Sequence, residues 1–278
     1  MPDEDPTAPG TGGDRIRSPV ETSRPNIARV YDYLLGGKDN FAADRELGDK
    51  IKEALPEVHL GVQQQRAALR RVVRYLVGEA GIRQLIDIGS GLPTAGNVHQ
   101  VAQQTASGVR VVYVDNDPIV LAHARALMAD NKATFVIDGD VRHPAEILSH
   151  PGLNELIDLG RPVALLLCGI LHHILDEEDP VGITAGYRKA LRSGSYVFIH
   201  HLVDIGDPGA AAVQAAFRQG MGRGQFRRLE QIKQFFDGLD FVDPGIVPVA
   251  DWRPDADTPL TSDHPVLRLA VVGVARKP

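Results

Sequence analysis

The reading turns on "LIDIGSGLPTAGN", Leu85 to Asn97. An apolar run carrying one acid, Asp87, passes into two close glycines, Gly89 and Gly91, with Ser90 between them. A strand that breaks into such a loop lets backbone approach a nucleotide-like ligand without a Cβ in the way. A dinucleotide loop continues to a third glycine, but Thr94 stands at that position, so the match is incomplete. Pro93 suits a helix start, where its missing N–H costs nothing. Asp87 sharpens the choice. A carboxylate two residues before Gly89 repels a pyrophosphate and suits a ligand that carries an ammonium and a sulfonium. S-adenosylmethionine carries both.

Working outward, "VVYVDND" places Asp115 and Asn116 at the end of the next apolar run, 26 and 27 residues past Gly89. An acid there accepts from two ribose hydroxyls, a feature that NAD and S-adenosylmethionine share. Asp140, in "VIDGDV", follows the third run and is read as accepting from an adenine amino group, with the Val141 N–H donating to the ring. Each acid has a plainer alternative: Asp87 as a loop cap, Asp117 as a helix N-cap before Pro118, Asp140 as a turn residue. Three acids ending three successive strands behind a Gly-x-Gly loop favour the ligand reading.

The surrounding pattern is α/β. "QLIDI", "RVVYVD", "ATFVID", "PVALLLC" and "SYVFIHH" are short apolar runs, separated by helical segments near 94–105, 117–130, 144–158 and 179–192. Continuous apolar strands alternating with helices predict a mostly parallel sheet covered on both faces. "GIVPVADW" and "VLRLAVVGVA" follow each other without a clear helix and predict a closing antiparallel pair. Residues 1–23 read as a disordered tail, 24–81 as a helical segment and 82–278 as the ligand-binding core. In "GVQQQRAALRRVVRYLVGEAG", Val62, Leu69, Val72, Val73, Leu76 and Val77 share a face, with arginines opposite.

Composition narrows the classes. The 278 residues carry a net charge of −6 and one cysteine, Cys168, which forms no internal disulfide and reads as an inert buried thiol. The N-terminus lacks the apolar core of a secretory signal, and no run is long enough to span a membrane, so a cytoplasmic protein is expected. A mildly acidic chain argues against nucleic acid as the partner. The basic cluster "FRQGMGRGQFRR", Phe217 to Arg228, reads as a solvated loop and helix start.

The stretches "RPNIARVYDYLLGGKDNFAADR", "DIGSGLPTAGNVH", "VVYVDNDPIVLAHARALM", "LLLCGILHHI" and "PGIVPVADWRPD" resemble an actinobacterial S-adenosyl methyltransferase family, formerly a domain of unknown function, within the class I S-adenosylmethionine-dependent methyltransferases. The resemblance runs from about residue 25 to the C-terminus. It implies a Rossmann-like methyltransferase fold, a seven-stranded sheet ordered 3-2-1-4-5-7-6, and an N-terminal helical lid over the cofactor cleft. It implies no particular methyl acceptor.

On that reading the cofactor is S-adenosyl-L-methionine, held by Asp87, Gly89, Ser90, Gly91, Asp115, Asn116, Asp140 and Val141. The double glycine Gly36-Gly37 is the hinge of a lid, or alternatively a helix–helix corner, and Tyr31 and Asn40 contact the cofactor from it. Arg66 either pairs with the methionine carboxylate or is a surface helix residue. His172 and His173 follow the fourth strand, next to the sheet's switch point, and are the catalytic candidates beside the acceptor. His200 and His201 lie one strand farther away; neighbours on a strand face opposite sides, so they do not chelate and no metal is expected. Trp252 lines the substrate mouth or anchors the last strands. The expected function is methyl transfer to a small-molecule acceptor. The alternatives are a non-catalytic sensor of S-adenosylmethionine or S-adenosylhomocysteine and, more remotely, an NAD-linked oxidoreductase.

Overall fold

The computed structural model describes residues 21–93, 96–256 and 264–278, so most of the expected tail, and Thr94 in the loop, lie outside the described residues. Five strands, β1 (Gln84–Ile88), β2 (Arg110–Asp115), β3 (Thr134–Asp138), β4 (Ala164–Cys168) and β5 (Tyr196–Leu202), pair in parallel in the order β3-β2-β1-β4-β5. The register pairs Asp87 with Tyr113 and Asp115 with Asp138, which brings the acid-bearing strand ends to one rim of the sheet. The switch of direction falls between β1 and β4.

The sheet is completed differently from the expected seven strands. β8 (Ala270–Arg276) runs antiparallel to β5, and two short strands share its outer edge. These are β6 (Asp240–Phe241), paired near Arg276, and β7 (Val247–Pro248), paired near Val272. The last position is thus split in two by the turn around Asp243 to Ile246, so the sheet keeps the expected order but has eight strands among the described residues. Two-residue strands leave no apolar run to read, whereas the expected antiparallel pairing of "GIVPVADW" with "VLRLAVVGVA" is present.

Alternation along the strands feeds two cores. Leu85, Val111, Leu166, Phe198 and Val272 face α3 (Val58–Arg74), α4 (Val98–Thr105) and α5 (Pro118–Met128). Ile86, Val112, Leu165, Val197 and Val271 face the other side, with α6 (Pro144–Leu148), α7 (Pro151–Leu156), α8 (Pro180–Ala190) and α10 (Leu229–Gln234). Both faces are dry, as near-continuous apolar strands require. The predicted apolar face of α3 is buried from Val62 through Val77, the last turn being a π-helix over Tyr75–Glu79. One of the arginines expected opposite is buried too: Arg71 donates from Nε to the Trp252 carbonyl and from Nη2 to the Val249 carbonyl, both at 2.9 Å.

The remaining helices form a third core across the carboxyl rim of the sheet. α1 (Ile27–Leu34) and α2 (Ala42–Ala54) pack with α9 (Pro208–Met221) through Val30, Leu47, Ile51, Val213 and Phe217. This cap is tied to the sheet by Arg29, which is buried between two carboxylates: Nε–Asp44 at 2.9 Å and Nη1–Asp117 at 3.1 Å. Asp117 also caps α5, accepting from the Ile119 and Val120 N–H groups. The α1–α2 corner needs glycine at 37, because a Cβ there would fall 2.0 Å from the Asp32 carboxylate that receives the Asp39 N–H.

Candidate functional site

β1 ends in a turn whose glycines, Gly89 and Gly91, sit at φ of 70° and 68°, the left-handed region that a side chain resists. Gly89 has a second reason to be glycine, since a Cβ would press within 2.8 Å of Ile170 in the loop after β4. The Gly91 N–H donates to Asp115 Oδ2 at 2.9 Å, and the Asp117 N–H donates to Asp115 Oδ1 at 3.0 Å. The end of β2 therefore fixes the loop of β1 through one carboxylate. Burial raises the pKa of that carboxyl, while these N–H groups work against the rise.

Asp87, at the end of β1, is 4% exposed. Desolvation lifts its carboxyl to about 7, opposed by the nearby Arg66 guanidinium and assisted by the negative Asp115. Arg66 is half-buried on α3, and its Nε is buried with no hydrogen-bond partner among the described residues. It faces the cavity, so the surface reading of Arg66 does not hold.

A largely apolar cavity of about 190 Å³ opens at this rim, enough for an organic ligand rather than a single water. Asp87, Gly89, Ser90, Gly91, Asp115, Asn116 and Val141 all line it, together with Arg66 of α3 and Tyr31 of α1. Tyr31 donates its hydroxyl to the Val62 carbonyl at 3.1 Å, which leaves the ring as a wall of the cavity. A side recess behind the loop is bounded by Arg66, Asp87, Ser90, Gly91 and Tyr113.

Two expected residues are not brought to the cavity. Asp140 Oδ1 accepts from the Arg142 backbone N–H at 3.0 Å and from its Nε at 2.9 Å, and Oδ2 pairs with Nη2. Arg142 holds the carboxyl below the ordinary range, so it is committed to a local ion pair and not to an adenine. Asn40 donates from Nδ2 to Asp32 Oδ2 at 2.9 Å and to the Gly37 carbonyl at 3.1 Å, and Arg45 donates to its Oδ1. It stabilises the corner instead of facing a ligand.

The histidines collect in one place. His172 and His173 lie on a 3₁₀ turn after β4, with ring centroids 4.3 Å apart, and both line the cavity. His200 of β5 lines it as well, although the sequence reading placed it farther off; parity along β5 sends His200 and His201 to opposite sides. His201 is satisfied, with Nδ1 at 2.6 Å from the Leu202 carbonyl and Nε2 at 3.2 Å from Arg227 Nη1. His172 Nδ1 and both ring nitrogens of His173 and of His200 are buried without partners among the described residues. Desolvation holds His172 well below its ordinary value, His173 at about 3 and His200 at about 4, so all three are neutral at pH 7.

Arg227 corrects the reading of the basic cluster as solvated. It is buried and donates to the Leu171 and Ile174 carbonyls at 3.0 and 2.7 Å and to Asp176 at 2.8 Å. It clamps the turn that carries His172 and His173. Cys168 lines the cavity and receives Gln65 Nε2 at 3.6 Å; burial pushes its thiol up to about 12, which keeps it protonated and unreactive. Trp252 is fully buried against Tyr75 at 5.7 Å and anchors the last strands; it does not line the cavity.

The model of a family described as S-adenosyl methyltransferase matches residues 14–278. A protein of Thermobifida fusca YX classed as a methyltransferase superposes with a TM-score of 0.88 at 46% identity, over 92% of this chain and 96% of its own. A DUF574 family protein of Streptomyces avermitilis MA-4680 superposes equally well, TM-score 0.88, at 40% identity over 92% of this chain and 99% of its own. The mitomycin 7-O-methyltransferase MmcR, at 15% identity and a TM-score of 0.52 over 90% and 71% of the two chains, shares the fold. No curated protein matches.

Proposed function

Since the chain belongs to the S-adenosyl methyltransferase family and is an S-adenosylmethionine-dependent methyltransferase, we propose that the methyl donor lies across the Gly89–Gly91 loop, with a small-molecule acceptor in the apolar chamber beside it. The observation that carries this reading is the pattern of charge at the loop. Arg66, with an unpartnered buried Nε, stands near the desolvated carboxyl of Asp87, and Asp115 sits at the next strand end. A ligand with a carboxylate, an ammonium and a ribose diol answers all three. Arg66 would hold the carboxylate, Asp87 the ammonium and Asp115 the ribose hydroxyls. Ser90, Asn116 and the Val141 N–H would border the nucleoside, and Tyr31 would cover it.

Bound S-adenosylmethionine supplies a methyl group already activated by its sulfonium, so the chain has mainly to align, to exclude water and to take up a proton. Alignment falls to the glycine loop and Asp115, which hold each other through the Gly91 N–H. The cap of α1, α2 and α9 excludes water, and its apolar core covers the rim. His172 and His173, with His200 beside them, are neutral, face the cavity and are available to accept a proton from the acceptor. The chamber beyond the loop is open, as turnover of an acceptor requires; a sensor would have it filled. One cysteine and no disulfide suit the reducing cytoplasm. No described helix is long and apolar enough to cross a membrane.

Calorimetric titration with S-adenosylhomocysteine tests the donor site, and absence of binding to folded protein would overturn it. Incubation with labelled S-adenosylmethionine and a metabolite extract then identifies the acceptor. The lid role of residues 24–44 is tested by hydrogen exchange: slower exchange there on binding S-adenosylhomocysteine is expected, and equal rates would make the cap a fixed wall.

A further inference from the structure

We propose that the methyl acceptor is an uncharged, largely apolar molecule with a hydroxyl that hydrogen-bonds to the unpartnered imidazoles of His173 and His200. The inference rests on the donor reading above and assigns the remaining part of the same cavity.

Among the described residues lining the cavity, the only formally charged side chains are Arg66, Asp87 and Asp115, and all three belong to the loop end. The other end is walled by the cap and β5, with residues such as Ile51, Val62, Leu202, Val213, Phe217 and Phe226. A carboxylate, a phosphate or an ammonium placed there would lose its hydration and meet no counter-charge, which is costly. A neutral apolar body loses nothing of that kind and gains from burial.

A buried polar atom without a partner is uncommon and costs free energy, and here five ring nitrogens of three neighbouring histidines are in that state. The condition is not general to buried histidine in this protein, since His201 on the same strand has both nitrogens engaged. A neutral imidazole offers one N–H and one bare nitrogen. A hydroxyl is at once donor and acceptor, so one such group can accept from the N–H of one ring and donate to the bare nitrogen of another. An aliphatic amine would arrive as an ammonium and fail the charge condition, and a thiol is a weak hydrogen-bonding partner. Desolvation keeps these rings neutral, which preserves the bare nitrogen as an acceptor.

The chemistry balances with these parts. A lone pair of the hydroxyl oxygen forms the new O–CH₃ bond, and the electrons of the broken C–S bond return to sulfur as a thioether. The hydroxyl proton, made strongly acidic once oxygen carries the methyl, passes to the bare imidazole nitrogen and from there to solvent.

The test is binding, on the full chain saturated with S-adenosylhomocysteine, using four probes of one shape: 4-ethylphenol, ethylbenzene, 4-ethylbenzoate and 4-ethylbenzylamine. The phenol should bind about five- to tenfold more tightly than ethylbenzene, the worth of one net hydrogen bond. Both charged probes should bind at least about tenfold more weakly than the phenol. In His173→Phe and His200→Phe the preference for phenol over ethylbenzene should shrink; should either variant fail to fold, the wild-type ranking still decides. Equal or tighter binding of the benzoate or the benzylammonium, no preference for the hydroxyl, or no binding of any probe at millimolar concentration overturns the proposal. If S-adenosylhomocysteine itself fails to bind, the donor reading fails instead, and the two failures are told apart.

Discussion

At the loop end of the cavity, Asp87, Gly89, Gly91 and Asp115 come from two adjacent strands, and their charges are fixed by backbone N–H groups and one arginine. At the other end, Ile51 of α2, Val213 and Phe217 of α9 and Phe226 beyond it meet from segments up to 175 residues apart and carry no charge. On the function proposed above, the first end receives a ligand whose polar groups are known in advance. The second is built by packing, and packing tolerates changes of shape that a charge array does not. On that same proposal, the donor is held by a rigid, local device, and the acceptor by a surface that mutation can reshape without disturbing the donor.

Arg29 links the two ends, and breaking it should have the largest effect. Arg29→Ala leaves Asp44 and Asp117 buried and unpaired, a loss of about 3–5 kcal/mol of stability, read from chemical denaturation. A variant of native stability would show that the cap and sheet hold together without this clamp.

Asp115→Ala should weaken S-adenosylhomocysteine binding by about a hundredfold or more, since each charge-assisted bond contributes roughly 1.5–3 kcal/mol. It also frees the Gly91 N–H, so the loop should exchange hydrogen faster. Unchanged affinity in folded protein would reduce Asp115 to a strand-end cap.

Asp87→Asn sharpens the contrast by separating affinity from stability. Burial raises this carboxyl to about 7 in the folded chain, so its favourable protonated state contributes fully below about pH 4 and is lost as pH rises through 7. The amide should therefore stabilise the ligand-free protein at pH 8, by up to ~4 kcal/mol, and change little at pH 4. Affinity should move the other way: a ligand ammonium needs the carboxylate, so wild-type binding of S-adenosylhomocysteine should weaken as pH falls below 7, by up to about tenfold per pH unit. A flat binding profile between pH 6 and 8 would remove Asp87 from the ammonium.

The smallest effect is expected at the packed end. Phe217→Leu should cost about 1–2 kcal/mol of stability and enlarge the acceptor chamber, while S-adenosylhomocysteine affinity stays within about twofold. A large loss of donor affinity would mean that the two ends are one unit.

The sequence made the loop end legible because its signals are local. Gly89, Gly91, Asp87 and Asp115 sit at strand ends that apolar runs announce, and all of them line the cavity. The same locality misled at Asp140, where Arg142 two residues on takes the carboxylate, and at Asn40, which Asp32 holds eight residues back. His200 was passed over because it lies one strand farther from the switch point, and strand position alone does not say how far a cavity reaches across the sheet. Arg227 looked solvated within its basic run; only the fold brings Leu171, Ile174 and Asp176 around it. The chamber itself has no sequence signature, since it is the gap left between α2, α9 and the sheet.

The split edge of the sheet bears on the order in which the chain is made. β6 and β7 pair with β8 alone, and β8 is also the strand that covers the open side of β5. A nascent chain emerging from its N-terminus has β5, β6 and β7 all outside before their common partner exists. Over that interval β5 presents a seven-residue edge of unpaired N–H and C=O groups, the template on which neighbouring chains associate. Insertion of residues 270–276 is therefore the event that retires this hazard, and a chain cut just before Ala270 should accumulate as aggregate even though every residue at the glycine loop is present.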